Sequence, residues 1–143
     1  REMVHRFWTG FALGGHVGHG ETYPHDNEIL WWSKGGELLG ESPPRIAFLR
    51  SVFEDAQPNG YARLPAGGKR EQAAPAADRY LWYNGGRQPA WREFTLPEDH
   101  TYRGEILDAW EMTVTALDGT YSGEVTVELP PKPYIAVRFT RVS

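Results

Sequence analysis

The feature that most constrains the fold is a series of short segments after residue 78 in which apolar and polar residues alternate. A period of two residues is typical of β-strands that bury one face. In 121–129, Val125, Val127 and Leu129 face one way, and the residues between them face the other. The six predicted strands are 79–83, 90–96, 101–110, 111–117, 121–129 and 133–142. Their regular spacing predicts a small antiparallel β-sandwich.

Two segments before residue 57 have the periodicity of an α-helix. In the first, apolar residues recur every three or four positions up to Gly14-Gly15, which ends the pattern. In the second, Ser42 precedes two prolines, as expected for a helix whose first turn is capped by a serine hydroxyl. The apolar stripes are Met3, Val4, Phe7, Trp8 and Phe11 in the first segment and Ile46, Leu49 and Phe53 in the second. We predict helices over 1–14 and 42–55.

These patterns predict three parts along the chain. Residues 1–57 form a helix-loop-helix segment, and residues 78–143 form the β-sandwich. Residues 58–77 are rich in Ala, Gly and Pro without a period, which indicates a linker or long loop. The expected fold class is α+β, mainly β with flanking helices that cover part of the small sandwich. Asn84-Gly85-Gly86 follows the first predicted strand and predicts a hairpin turn there.

The composition argues against several functions. The formal net charge of −4 argues against nucleic acid as a partner, because general nucleic-acid binders are basic. The apolar runs are only a few residues long, so we expect no membrane partner. The absence of cysteine excludes disulfides, thiolate metal sites and a cysteine nucleophile, and leaves the cellular compartment open. We find no phosphate loop or dinucleotide fingerprint, so no cofactor is predicted.

Polar and aromatic side chains that suit a sugar site are concentrated between residues 19 and 32. His19, Glu21 and Tyr23 can hydrogen-bond hydroxyl groups, while Trp31 and Trp32 can stack on a pyranose ring. We predict that these five residues bind a carbohydrate.

Two other interpretations of this region stay open. His16, His19 and His25 supply three imidazoles that could bind zinc or another transition metal, although their spacing matches no standard site. Alternatively, the polar side chains satisfy one another and the backbone in a buried loop. Because spacing alone supports a metal weakly, no metal ligand is part of the predicted site.

Glu21 alone cannot hydrolyse a glycosidic bond, because the reaction needs two carboxylates on opposite faces of that bond. The nearest other acids are Asp26 and Glu28, and no pattern shows that they converge with it. Asp108 and Glu111 lie in the strand region, where a solvated strand edge is expected. The sequence therefore predicts no catalytic residue in this chain.

Several stretches of the sequence resemble a known family. They read FWTGFALGGHVGHGETY, ILWWSKGGELLGESPPRIAFLR, DRYLWYNG with GEILDAWEMT, and PYIAVRFTRV. The likeness covers nearly the whole chain. It is to the C-terminal part of bacterial putative glycoside hydrolases of the apiosidase-like (β/α)8-barrel type, which end in a small β-sandwich. The stretch at 58–77 departs from that family's pattern and looks like an insertion.

On this resemblance, Arg1–Gly14 is similar to the penultimate barrel helix, Gly15–Val17 to the final strand and Ser42–Asp55 to the closing helix. His19–Tyr23 would then lie at the C-terminal rim, where barrel active sites lie. The catalytic carboxylates of such barrels are expected on earlier strands, which this sequence lacks. The resemblance implies a non-catalytic accessory part, inactive alone. Its expected partners are the N-terminal barrel of the same parent chain and a carbohydrate ligand.

Two functions of other classes remain as alternatives. One is an independent carbohydrate-binding module with exposed tryptophans, and the other is a metal-binding domain built on the three histidines. A further expectation concerns Phe7, Trp8 and Phe11, a stripe that would be exposed without a barrel beside it. Since exposed apolar patches usually find a partner, we expect some self-association.

Overall fold

The computed structural model describes residues 1–18, 40–56, 61–63 and 78–143. Within these residues two helices, α1 (Glu2–Ala12) and α2 (Ser42–Asp55), precede seven strands. The strands are β1 (Ala62–Arg63), β2 (Arg79–Tyr83), β3 (Trp91–Thr95), β4 (Tyr102–Asp108), β5 (Thr113–Ala116), β6 (Glu124–Glu128) and β7 (Ile135–Arg141). The predicted fold class, mainly β with flanking helices, is confirmed. Neither helix is long and apolar enough to cross a membrane.

The strands form one sheet of five strands and one of two. The larger sheet has the order β1-β2-β7-β4-β5, and the smaller pairs β3 with β6. All pairings are antiparallel except that of β1 with β2. The strand β7 is central: Val137 lies opposite Trp82 on one side and Ile106 on the other.

The turn at Asn84-Gly85-Gly86 does not close a hairpin, so that prediction is wrong. It carries the chain from β2 in the larger sheet to β3 in the smaller one. The Asn84 backbone N–H donates to the Ile135 carbonyl at 2.9 Å, and its side-chain amide donates to the Arg87 carbonyl at 2.6 Å. Gly85 adopts a φ of 66°, which glycine permits without strain. Local turn residues thus specify a reversal here but not which strands pair.

The first hydrophobic core lies between the two sheets. Alternate residues of β2, β4 and β7 face alternate residues of β3 and β6, because successive side chains of a strand point to opposite faces. The buried members are Tyr80, Trp82, Phe94, Leu96, Tyr102, Val125, Val127, Leu129, Ile135, Val137 and Phe139. This core is the interior of the predicted sandwich.

The second core lies on the other face of the larger sheet, beneath the helices. From the helices it takes Val4, Trp8, Leu49 and Val52, and from the strand region Leu81, Leu107, Ala109 and Ala136. The molecule therefore has three layers, in the order helices, five-stranded sheet, two-stranded sheet. The helices and the sandwich share one continuous apolar contact.

This contact contradicts the expectation that the stripe of Phe7, Trp8 and Phe11 is exposed. Trp8 is 0% exposed, and the Phe11 ring packs edge-on against Phe53 with centroids 4.9 Å apart. The sheet and α2 take the place of the expected partner. Phe7 is only half-buried, and self-association stays a prediction.

Helix α2 also differs in detail from its prediction. Ser42 is its first residue rather than its cap; Glu41 takes the N-cap position, and no side chain caps the helix. The residues buried on α2 are Leu49 and Val52, while Phe53 is half-buried. The two prolines lie in the first turn as predicted, where no amide hydrogen is required.

The segment boundaries at 57 and 78 stay a prediction. One strand, β1, falls inside the predicted linker 58–77 and pairs in parallel with β2 through Ala62 and Tyr80.

The stability of the fold is expected to fall above pH 10. Burial raises the pKa of Tyr102 to about 12, and burial also raises the pKa of Tyr83. An unfolded tyrosine ionises near pH 10, so the unfolded state loses protons first, and each further pH unit costs about 1.4 kcal/mol per buried phenol. Urea unfolding between pH 8 and 12 measures this slope. Tyr102→Phe should flatten it, whereas an unchanged slope would contradict the assignment to Tyr102.

Candidate functional site

The five residues predicted to bind a carbohydrate lie outside the described residues. They are His19, Glu21, Tyr23, Trp31 and Trp32, and His25 of the metal alternative lies outside as well. His16 is described and exposed. Among the residues that the structure describes, no three histidine, aspartate or glutamate side chains come together as metal ligands. The structure does describe residues 15–18, which directly precede the predicted site, and their surroundings.

Residues 15–18 run back along α1 without forming a hydrogen-bonded strand. The Gly15 N–H donates to the Gly10 carbonyl at 2.8 Å. A Cβ at position 10 would collide with a methyl group of Val17, so the close approach of this segment to α1 requires glycine there. The packing of Val17 on Gly10 brings Gly18, the residue before His19, onto the surface of the helix.

A groove of about 440 Å³ lies at this point. Its lining consists of Glu2, Met3, Arg6, Phe7, Val17 and Gly18. Three of these side chains are apolar, and the two charged ones neutralise each other, because Arg6 Nε lies 2.9 Å from Glu2 Oε1. The hydrogen bond from Arg6 lowers the pKa of Glu2. The groove can hold an apolar ligand surface, and its single carboxylate cannot provide the acid–base pair that glycoside hydrolysis needs.

A second cluster of polar side chains lies at the end of β4. Asp108 Oδ1 accepts hydrogen bonds from the backbone N–H groups of Trp110 and Glu111, both at 2.9 Å, and Oδ2 forms an ion pair with Lys132 Nζ. The hydrogen bond between the Asp108 and Lys132 side chains raises the pKa of Lys132. Asp108 is 4% exposed, so the predicted solvated strand edge is wrong for this residue, although Glu111 is exposed. With its oxygens occupied, Asp108 is a structural carboxylate.

The ring of Trp110, next to this cluster, is covered by cations from the helices. The Arg45 guanidinium lies 3.7 Å from the ring centroid, and Arg45 Nε donates to the Trp110 carbonyl at 2.8 Å. The Arg1 guanidinium lies 4.7 Å from the same centroid. Cation–π contacts of this kind stabilise a packing arrangement and leave less of the ring for a ligand. Trp110 therefore joins the N-terminal ends of both helices to the β4–β5 turn.

His5 makes a third contact between α1 and the strand region. Its Nδ1 lies 3.2 Å from the Tyr83 hydroxyl, and its ring centroid lies 6.0 Å from that of Tyr134. A Cβ at Gly85 would lie 2.9 Å from the His5 ring, so a glycine is needed at this turn for a second reason. Together with the buried Trp8, His5 fixes α1, which lines the groove, against the sheet.

Sequence reasoning did not find these contacts. Arg45 and Trp110 are 65 residues apart, and neither residue carries a local signal for the other. The Asp108 contact had a partial signal, since an aspartate two residues before a turn commonly accepts from the backbone.

Comparison with known proteins places the chain in a family. Residues 66–140, just over half of the chain, match the model of a domain of unknown function, DUF5605. The chain belongs to the DUF5605 family. The match begins after α2 and includes all strands from β2 to β6 and most of β7. No curated protein gives a significant match to this DUF5605 chain.

The DUF5605 chain is also similar to a solved structure, described as a putative glycoside hydrolase from Bacteroides vulgatus ATCC 8482. The two share 30% sequence identity and superpose with a TM-score of 0.72. The likeness covers 99% of this chain, including both helices, and 32% of that chain. The DUF5605 chain thus spans about a third of the length of its structural relative.

Proposed function

We propose that this DUF5605 chain is a non-catalytic accessory part of a glycoside hydrolase, in which α1 and α2 complete an apiosidase-like (β/α)8 barrel and the sandwich supports them. The observation that carries the proposal is that α1 has apolar residues on two neighbouring faces, of which the sheet covers one. Val4 and Trp8 are buried against the sheet. On the neighbouring face, Met3 and Phe7 line the groove together with Val17. A helix on the outside of a barrel has this arrangement when a further domain packs over it.

We further propose that His19, Glu21, Tyr23, Trp31 and Trp32 contribute to a carbohydrate site completed by the barrel. Two observations support this part. The described chain runs along α1 to Gly18, directly before His19. The groove beside Gly18 provides apolar side chains that a ligand at the site can contact. The similar solved structure, described as a putative glycoside hydrolase, covers this region of the chain.

The chain alone is proposed to be inactive. Hydrolysis with retention or inversion needs two carboxyl groups about 5–9.5 Å apart on either side of the scissile bond. Among the described residues, the buried or half-buried carboxylates Asp108 and Glu105 are held by cations, namely Lys132 and Arg138. Neither carboxylate is free to donate a proton to a substrate or to accept one from it. The catalytic pair is therefore assigned to the barrel, and the purified chain should release no product from aryl glycosides.

Glu21→Gln in the full-length protein that carries this chain tests the proposal. Loss of a charged hydrogen bond to a substrate hydroxyl is expected to lower kcat/KM about 10- to 100-fold. The melting temperature should stay the same, because the proposed role is in binding. Glu111→Gln is the matched control, since Glu111 is exposed and far along the chain from the site. A lower melting temperature with unchanged activity would make Glu21 a structural carboxylate, and hydrolysis by the isolated chain would overturn the non-catalytic role.

A further inference from the structure

The outer face of the two-stranded sheet carries an exposed tryptophan that the proposed function does not use. Trp91 is 54% exposed, whereas the other aromatic residue of β3, Phe94, is buried. Trp91, Glu93 and Thr95 alternate with Arg92 and Phe94, so the tryptophan is in phase with the exposed polar residues of its strand. This phase, readable in the sequence, distinguishes Trp91 from a core tryptophan.

Carboxylates surround Trp91 in a regular arrangement. The cross-strand pairs on this face are Trp91 with Glu128, Glu93 with Thr126, and Thr95 with Glu124, so each pair contains one carboxylate. All six residues are exposed. None of the three glutamates forms an ion pair or hydrogen bond through its side chain with another residue that the structure describes.

The nearest cation on β3 does not neutralise this face. Arg92 points between the sheets, where its guanidinium lies 5.5 Å from the centroid of the Trp82 ring. The outer face consequently combines one aromatic ring, three negative charges and two threonine hydroxyls. It also lies on the layer most distant from α1 and α2, because the five-stranded sheet separates the two. A barrel packed beside the helices would leave this face in solvent.

This chemistry selects among possible ligands. An indole ring offers a flat apolar face for the C–H face of a pyranose, and carboxylates accept hydrogen bonds from hydroxyl groups. Three negative charges that no cation among the described residues neutralises repel phosphates, nucleic acids and acidic sugars. A protein partner with an apolar patch would have to bury these carboxylates without counter-ions, which is costly. A neutral sugar provides hydroxyl donors and leaves the carboxylates partly hydrated.

We infer that the outer face of β3 and β6 is a binding surface for a neutral polysaccharide, on which Trp91 stacks against a sugar ring and Glu93 and Glu128 accept hydrogen bonds from its hydroxyls. The surface is separate from the site proposed for residues 19–32. It would hold the enzyme on its polymeric substrate while hydrolysis takes place elsewhere.

Affinity gel electrophoresis of the 143-residue chain tests this inference, with hydroxyethylcellulose, xyloglucan, galactomannan and arabinoxylan as probes. At least one polymer should retard the chain, equally at 50 mM and 500 mM NaCl. Trp91→Ala should weaken binding at least tenfold, and Glu93→Gln should weaken it less. Both variants should keep the wild-type melting temperature because both side chains are exposed. Val142→Ala, at another exposed apolar residue, is the matched control and should bind normally.

Three results would overturn the inference. Retardation by none of the four polymers would exclude a neutral polysaccharide as the ligand. Retardation that Trp91→Ala does not change would place binding elsewhere in the chain, and the function proposed for residues 19–32 would still stand. Binding to chitosan or polylysine alone, lost at 500 mM NaCl, would show that the face recognises positive charge. A failed Glu21→Gln experiment would leave the inference intact, because the two tests involve different residues.

Discussion

Replacing Trp8 with alanine is expected to lower the free energy of unfolding by about 3–5 kcal/mol, the range found when a buried large aromatic is truncated. Trp8 is fully buried between α1 and the sheet, with its ring centroid 5.4 Å from that of Tyr83 and 6.1 Å from that of Phe48. It therefore contacts both the sheet and α2. Chemical denaturation followed by circular dichroism measures the change, and the helical signal should be lost at a lower denaturant concentration than in the wild type.

Trp8→Phe is the control for this prediction. Trp8 Nε1 is buried and has no hydrogen-bond partner among the described residues. Phenylalanine keeps most of the apolar contact and removes this unpaired donor, whose burial costs about 1–3 kcal/mol. We expect a much smaller loss for Trp8→Phe than for Trp8→Ala. An equal loss of unfolding free energy in Trp8→Phe and Trp8→Ala would contradict this prediction, because it would mean that only the full indole ring stabilises the contact between α1 and the sheet.

Replacing Arg138 with methionine is expected to cost about 2–3 kcal/mol, less than the loss of one partner from a fully buried pair. Arg138 lies on the helix-facing side of β7 with its side chain 11% exposed. Its Nε donates to Glu105 Oε2 at 2.6 Å, and its Nη1 reaches Asp55 Oδ2 at 3.1 Å and the Tyr61 hydroxyl at 3.2 Å. Methionine fills a similar space but leaves Glu105 without this partner.

Arg50→Met provides the comparison for Arg138→Met. Arg50 pairs with Glu54 one turn later on α2 at 2.7 Å, and both side chains are largely exposed. Exposed helix pairs of this kind contribute about 0.3–0.5 kcal/mol. Urea denaturation of both variants at 0.1 M and 1 M NaCl separates the two cases, because salt screens the exposed pair more strongly. An effect of Arg138→Met as small as that of Arg50→Met would show that the Arg138 network contributes little to holding α2 on the sheet.

The strands that the sequence predicts well are those with one buried and one solvated face. β6 runs from Glu124 to Glu128 with alternating burial, so its hydrophobic pattern and its structure agree. β5 is harder to predict from the sequence, because all four of its residues, including Val114, are exposed at the edge of the sheet.

The pairing of strands is harder to predict than the strands themselves. The turn at Gly85 joins two sheets because β7, distant in the chain, takes the place beside β2 that a hairpin would have given to β3.

The candidate site shows the same division between local and distant information. The residue types of His19, Glu21 and Trp31 suggest a sugar ligand from their chemistry alone. The contacts that hold the helices and the β4–β5 turn in place could not be predicted in the same way. Trp8 packs against Leu81 and Leu107, and Asp108 forms an ion pair with Lys132. These residues are distant in the sequence and come together only in the complete fold. Periodicity identifies the apolar face of a helix, but it does not identify the element against which that face packs.

The central position of β7 has a consequence for how the chain folds. β2 and β4 do not pair with each other; each pairs with β7, which is the last strand in chain order. During synthesis, the edges of β2 and β4 that pair with β7 stay unpaired, and neither core can form completely until residues 135–141 have been synthesised. Long-range pairings of this kind fold slowly. The interval before β7 is inserted is therefore the period in which nascent chains are most exposed to aggregation, and in which a chaperone would have the greatest effect on yield.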